Sequence, residues 1–162
     1  MRRVVDTNVP IVANGKQTNA SIECRLAAVD FLKLLIENGK TILDLGGAIE
    51  AEYHRYLSPS GQPGVGDRFY QMILNSAPKS VERIDLPIDQ NTGEFVDFPN
   101  DADLASFDLS DRKFAAAARK ADVAVVNATD TDWSTYKSAL QRNGVAIEFI
   151  CGCDPLLWFS DN

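Results

Sequence analysis

Residues 111–133, DRKFAAAARKADVAVVNATDTDW, join a helix pattern to a strand pattern, with aspartates at both ends. The alanine-rich run from Asp111 to Lys120 follows Ser110, a residue type that favours the N-cap position, and it predicts a helix. The apolar run at 123–127 predicts a buried strand. A helix that leads directly into a buried strand is typical of a parallel α/β sheet.

The same alternation continues on both sides of this stretch. It predicts a strand ending at Val4 and Val5, a helix at 22–38, a strand at 41–45, a helix at 48–57, a helix at about 133–142 and a strand at 145–150. Strands that alternate with helices form a sheet with helices on both of its faces. We therefore predict a three-layer α/β sandwich with a mainly parallel central sheet.

The middle of the chain departs from this alternation. Residues 61–66 form a loop rich in glycine, and residues 67–77 have a helical pattern. The apolar runs at 81–88 and 94–98 flank Asp89-Gln90-Asn91-Thr92-Gly93, which predicts a β-hairpin. We interpret about 58–109 as an inserted helix and hairpin within a single domain of residues 1–162, since a chain of this length fits one compact domain.

Charge and hydropathy limit the function classes. The formal net charge of −7 excludes a protein that coats nucleic acid through its overall field. It does not exclude an enzyme that holds a phosphodiester through a divalent cation, because such a site is itself built from carboxylates. No stretch approaches the roughly 20 apolar residues of a membrane span, and Arg2 and Arg3 lead straight into a short apolar run, unlike a signal peptide. We predict a cytoplasmic protein without membrane contact.

The three cysteines, Cys24, Cys151 and Cys153, do not suggest a disulfide framework. Their number is odd, and Cys151 and Cys153 are too close in sequence for an easy mutual disulfide. A zinc site would need further ligands, and His54 is the one histidine. We expect reduced or buried thiols.

Acidic residues recur where the predicted strands end or the helices begin. Asp6 follows the first strand, Asp111 begins the alanine-rich helix, and Asp130 and Asp132 follow the strand at 123–127. Each could be a helix cap on its own, but the carboxyl ends of parallel strands meet at the edge of the sheet where ligands bind. Carboxylates gathered there repel one another unless a cation neutralises them, and oxygen ligands suit Mg²⁺ or Mn²⁺.

Three stretches resemble the PIN domain family of metal-dependent nucleases, which includes the toxin ribonucleases of bacterial toxin–antitoxin modules. They are VVDTNVPIVANG at 4–15, TILDLGGAIEAEYHRYL at 41–57 and DRKFAAAARKADVAVVNATDTDW at 111–133. The resemblance implies a PIN-like domain with Mg²⁺- or Mn²⁺-dependent endoribonuclease activity. The partners that it implies are RNA, single-stranded RNA in particular, an antitoxin protein and a second copy of the chain in a homodimer.

The resemblance also implies the site residues. The catalytic and metal-binding acids that it implies are Asp6, Glu52, Asp111 and Asp130, with Asp132 as an accessory metal ligand. Thr7 and Asn8 would contact the ligands rather than the metal and hold them in position. Two assignments have alternatives, Glu50 for Glu52 and Asp108 for Asp111. Where the family often has threonine or serine at the end of the strand before its fourth acid, this chain has Asn127 or Ala128, which weakens that supporting shell.

The chemistry of such a site needs no histidine base. A divalent cation can neutralise phosphodiester oxygens and lower the pKa of a water molecule. Two alternatives stay open at this stage. One is a catalytically inactive PIN-like module that binds nucleic acid or protein; the other is a phosphatase with a nucleophilic aspartate, although the haloacid type would need Asp-x-Asp after the first strand and position 8 is asparagine.

Overall fold

A sheet of five parallel strands forms the centre of the molecule in the computed structural model, which describes residues 1–75 and 77–160. The order across the sheet is β3-β2-β1-β4-β5. The strands are β1 Arg2–Val5, β2 Lys40–Asp44, β3 Val81–Ile84, β4 Ala124–Asn127 and β5 Ile147–Phe149. Residue 76, in the helix predicted at 67–77, and residues 161–162, in the predicted domain, lie outside the described residues.

Seven α-helices are described, and short 3₁₀ helices occur at Ala102–Leu104 and Pro155–Leu157. The α-helices are α1 Asn8–Ala13, α2 Ile22–Asn38, α3 Ala48–Tyr56, α4 Val65–Asn75, α5 Arg112–Ala121, α6 Thr131–Thr135 and α7 Lys137–Arg142. Every helix within the described ranges is too short or too polar to cross a bilayer.

The helices cover both faces of the sheet. Helices α1, α2 and α4 pack against one another, and α5 packs against β1, β2 and β4. Because crossover connections between parallel strands are right-handed, the packed helices α1, α2 and α4 lie on the face opposite to α5, which returns the chain to β4. Helix α3 contacts both β2 and α5. Val4, Val5 and Val125 are fully buried, as expected for strands covered on both sides. The predicted α/β architecture with a mainly parallel sheet is confirmed.

The direction of the chain across the sheet reverses between β1 and β4. From β1 the chain runs outward to β2 and β3, returns over the sheet through α5, and continues outward through β4 to β5. The backbone N–H of Asp6 donates to the carbonyl of Val126 at 3.1 Å, which joins the carboxyl ends of the two central strands. In open parallel sheets this point of reversal forms the crevice in which ligands bind.

The helix predicted within about 58–109 is present as α4, but the predicted β-hairpin is reduced to its turn and the pairing next to it. Val81–Ile84 pairs in parallel with β2, so α4 and β3 belong to the central fold. Within residues 85–109, antiparallel pairing consists of one bridge between Ile88 and Phe95, flanked by backbone hydrogen bonds from Asp89 N–H to the Glu94 carbonyl at 2.8 Å and from Val96 N–H to the Pro87 carbonyl at 2.9 Å. The turn itself is present, because the Asp89 carboxylate accepts the backbone N–H groups of Asn91 and Thr92 at 2.8 and 3.0 Å. The local turn signal was correct, but strand pairing is determined by the apolar surface that β3 buries beside β2.

Two helix starts also differ from the prediction. Asp111, not Ser110, is the N-cap of α5, because the backbone N–H and hydroxyl of Ser110 both bind the Asp108 carboxylate at 2.8 Å. The helix predicted at about 133–142 consists of α6 and α7, which meet at Tyr136. Its first helix begins earlier because the side chain of Asp130 accepts the backbone N–H of Asp132 at 2.9 Å.

The expectation of unpaired thiols is wrong for Cys24 and Cys151, which form a disulfide. Cys24 lies in the first turn of α2, and Cys151 follows β5. Their Cα atoms are 4.8 Å apart although the residues are 127 positions apart in sequence. Sequence spacing does not show such a pairing, because the fold alone brings the two segments together. Cys153 is an exposed free thiol.

Candidate metal centre

Three aspartates converge at the point where the sheet reverses direction. Asp6 follows β1, Asp130 follows β4, and Asp111 is the N-cap of α5. One carboxylate oxygen from each lies within 4.8 Å of the others. Asp6 and Asp111 are buried and Asp130 is half-buried. The structure therefore brings together three of the four acids that the sequence resemblance implied.

Both oxygens of Asp6 accept hydrogen bonds. The indole Nε1–H of Trp133 donates to Oδ2 at 2.5 Å, and the backbone N–H of Asn8 donates to Oδ1 at 3.0 Å. Trp133 is fully buried, so its ring is fixed by packing. These two donors hold the carboxylate in one orientation toward Asp111 and Asp130.

An amide pair attaches the loop after β4 to the end of β1. Asn8 donates from Nδ2 to Asn127 Oδ1 at 2.9 Å, and its own Oδ1 accepts the backbone N–H groups of Ala128 and Thr129 at 2.8 and 3.1 Å. Asn127 in turn donates to the carbonyl of Asp130 at 3.0 Å. The asparagine that departs from the family pattern thus takes part in positioning the loop that carries Asp130.

Glu52 lies beside the three aspartates but outside their group. Its Oε1 accepts the hydroxyl of Thr7 at 2.7 Å, and its Oε2 forms an ion pair with Lys113. Its negative charge contributes to raising the pKa of Asp6, after larger effects from burial and from Asp130. The alternative, Glu50, faces β3 and pairs with Arg83 at 2.7 Å.

Asp132 and Asp108 belong to a second acidic group. Their carboxylate oxygens lie within 4.8 Å of each other and of an oxygen of Asp111. Asp108 is exposed, whereas Asp132 is partly buried. The structure thus places Asp108, the alternative to Asp111, next to it rather than in its place.

Burial raises the pKa of each of the three aspartates, and the charges of neighbouring carboxylates raise it further. For Asp6 the main causes are desolvation and the charge of Asp130, and for Asp130 the main cause is desolvation. Desolvation and the charges of Asp6 and Asp130 raise the pKa of Asp111 to about 9, and its carboxyl hydrogen-bonds to that of Asp130. Without a cation, the cluster therefore retains protons near neutral pH.

The donor set fits a hard divalent cation. Mg²⁺ binds oxygen ligands at about 2.0–2.1 Å, so two ligands on opposite sides of it are roughly 4.2 Å apart. Oxygens of Asp6, Asp111 and Asp130 that lie within 4.8 Å of one another are close to this separation. The group contains neither sulfur nor imidazole ligands, which favours Mg²⁺ or Mn²⁺ over zinc.

Several residues that shape the centre were not identified from the sequence. Trp133 gave no signal, because an apolar aromatic residue is expected in any core. The sequence signal for Lys113 was weak: a lysine in the first turn of a helix is unfavourable because its charge opposes the helix dipole. Asp44 also ends a strand at this edge, but its carboxylate accepts the backbone N–H groups of Ala48 and Ile49 at 2.8 and 2.9 Å and so stabilises the start of α3.

The chain shows a likeness of low similarity to a solved structure. No protein-family model matches the chain, and no curated protein matches it. The structure of VapBC2 from Rickettsia felis, bound to a DNA fragment from their promoter, aligns with a TM-score of 0.44 and 14% sequence identity. The alignment covers 92% of this chain and 98% of that chain. At this similarity it gives no residue-level information about the centre.

Proposed function

We propose that this protein is a Mg²⁺- or Mn²⁺-dependent endoribonuclease that hydrolyses phosphodiester bonds, with single-stranded RNA as its preferred substrate. The observation that carries the proposal is the convergence of Asp6, Asp111 and Asp130 at the crevice of the sheet. The resemblance of the sequence to PIN nucleases supports the reaction type. It also supports an antitoxin protein as partner, a toxin role within such a pair, and a homodimer.

Asp6, Asp111 and Asp130 would hold the cation. When bound, the cation would neutralise phosphodiester oxygens and lower the pKa of a water molecule. The protein holds the carboxylate of Asp6 in position before the cation binds, because Trp133 and Asn8 donate hydrogen bonds to its two oxygens. The three aspartates must release their retained protons when they become ligands, so cation binding should strengthen as pH rises.

The distribution of charge supports a site that depends on its cation to hold a polyanion. Residues 84–111 contain eight acidic residues and neither lysine nor arginine, against a net charge of −7 for the chain, so the rest carries +1. Part of the acidic charge is compensated, since Glu94 pairs with Arg112 at 3.1 Å and Asp97 with Lys120 at 3.4 Å. With no strongly basic surface in this part of the chain, RNA affinity should depend on the centre, with a shallow dependence on salt.

Cleavage of a labelled oligonucleotide tests the proposal. Single-stranded RNA and DNA of the same sequence are incubated with wild-type protein in Mn²⁺, in Mg²⁺ and in EDTA. We expect RNA cleavage that requires the metal and that Asp6→Asn and Asp130→Asn abolish while circular dichroism stays unchanged. Asp30→Asn, at an exposed position on α2, is the matched control and should cleave like wild type.

The same assay separates the alternatives. Cleavage that persists in both site variants would contradict the proposal. Cleavage of DNA but not RNA would support the proposed metal centre and would identify DNA as the substrate. Absence of cleavage of both RNA and DNA, in a protein that binds Mn²⁺ in a separate calorimetric titration, would favour a non-catalytic binding module.

A further inference from the structure

Lys113 is a buried lysine in an unfavourable position. Only 8% of it is exposed, and it lies in the first turn of α5, where the positive end of the helix dipole opposes a cation. Burial of an ammonium group without partners is costly. Its Nζ pairs with Glu52, donates to the carbonyl of Ser110, and lies 4.8 Å from the centre of the Phe114 ring. These contacts compensate the positive charge of Lys113 at a position that is unfavourable for the stability of the helix.

Both oxygens of Glu52 are engaged by groups of the protein. Thr7 donates to Oε1 and Lys113 pairs with Oε2. Among residues 1–75 and 77–160, no group of three acidic side chains with oxygens within 4.8 Å includes Glu52. Its side chain is 16% exposed, so Lys113 is the cation that already balances its charge. In the described part of the chain, in contrast, Asp6, Asp111 and Asp130 form no ion pair with a basic side chain.

We propose that Lys113 is a positioning residue that acts as the internal counter-ion of Glu52, so that the centre takes one divalent cation, held by Asp6, Asp111 and Asp130. This inference rests on the proposed function and specifies its metal stoichiometry. The ammonium group lowers the negative charge of the site by one unit, which leaves less charge to attract a second cation. Thr7 fixes Glu52 toward Lys113, and Glu52 then stays outside the ligand set.

Titration of the full chain with Mn²⁺, followed by calorimetry and by the electron paramagnetic resonance signal of free Mn²⁺, tests the inference. Wild type should bind one Mn²⁺ per chain. Asp111→Asn should weaken binding by at least about tenfold, because it removes a ligand. Glu52→Gln removes no ligand but leaves the positive charge of Lys113 unpaired beside the centre, so it should weaken binding by only about threefold, less than Asp111→Asn does. Glu50→Gln is the matched control, since Glu50 also forms an ion pair from α3 but faces away from the centre.

Removal of the lysine should have the opposite effect. Lys113→Met leaves Glu52 unpaired, so Mn²⁺ binding should tighten by about tenfold as that carboxylate becomes a ligand. The double variant Lys113→Met/Glu52→Gln removes both charges and should return to the wild-type Kd. It also tests the inference if Lys113→Met alone fails to fold without metal.

Three results would overturn the inference: two Mn²⁺ per wild-type chain, Glu52→Gln weakening the binding tenfold or more with Lys113 present, or a double variant with tenfold weaker binding than wild type. A wild-type protein that binds no Mn²⁺ at millimolar concentration would contradict the proposed function as well. A wild type that binds one Mn²⁺ and loses it in Glu52→Gln would contradict only the role of Lys113.

Discussion

Asp111→Asn should stabilise the metal-free protein. The buried Asp111 carboxyl has a pKa of about 9, against an ordinary value of 3.8, so the native state holds its proton at pH 7 while the unfolded chain releases it. The native state then binds more protons than the unfolded state, and the free energy of unfolding falls as pH rises from about 4 toward 9. Asparagine is uncharged without a proton, and its amide can still donate to Asp130.

The size of the effect follows from the pKa difference. Each pKa unit corresponds to about 1.36 kcal/mol, and roughly three units separate the ordinary value from pH 7, which gives a gain of as much as about 4 kcal/mol for Asp111→Asn. At pH 5 little more than one unit remains, so the gain should shrink to about 2 kcal/mol. The direction is unusual, because most substitutions of buried residues destabilise a protein.

Urea unfolding in EDTA, followed by the fluorescence of the two buried tryptophans, Trp133 and Trp158, measures the difference. Equal slopes of free energy against urea concentration would show that the variant has not changed the compactness of either state. Asp30→Asn is the control for a charge removed from an exposed position. Two results would refute the inference that Asp111 is protonated in the native state at pH 7. One is a variant no more stable than wild type at pH 7, and the other is an equal gain in the free energy of unfolding at pH 5 and pH 7.

Mg²⁺ should raise the Tm of wild type, by a stabilisation of about 2.7 kcal/mol at 100 times the Kd, and raise that of Asp6→Asn much less. Equal shifts in a thermal scan would mean that the cation acts by general screening. Trp133→Phe removes a donor to buried Asp6 and should cost about 1–3 kcal/mol in urea unfolding. An unchanged free energy would mean that the hydrogen bond is replaced by another donor. Reduction with dithiothreitol should destabilise the protein by about 2–5 kcal/mol through loss of the Cys24 disulfide, whereas Cys153→Ser should have no effect; equal stability with and without reductant would contradict this.

The architecture was largely predictable, because each strand that was correctly assigned is flanked by a helix with its own local pattern. The exception, β3, shows what a local pattern lacks. Val81–Ile84 is β-prone whichever strand it pairs with, and the turn at Asp89 suggested the nearest partner in sequence. The actual partner, β2, is separated from it by two helices. Strand order depends on long-range burial that a window of sequence does not contain.

The positions of the aspartates were predictable for a different reason. In a parallel sheet every strand ends at the same edge, so acids that follow β1 and β4 lie close together whatever the details of packing. The contacts of Lys113 and Trp133 depend instead on how α5, α3 and α6 are rotated against the sheet. A lysine in a helix and a tryptophan near a strand are ordinary surface and core residues, and their direction toward Glu52 and Asp6 follows from the folded arrangement alone.

The disulfide makes residues 24–151 a closed covalent ring with a segment of chain outside it on each side. Asp6 lies outside the ring, before Cys24, whereas Asp111 and Asp130 lie within it. A protease that cuts the connection between β3 and α5 once would open the ring without releasing a fragment, as long as Cys24 and Cys151 stay bonded. The nicked molecule would run as one band on a non-reducing gel and as two bands after reduction. Its aspartates would then come from two polypeptides, Asp6 from the first and Asp111 and Asp130 from the second, held together by a single sulfur–sulfur bond and the packed sheet.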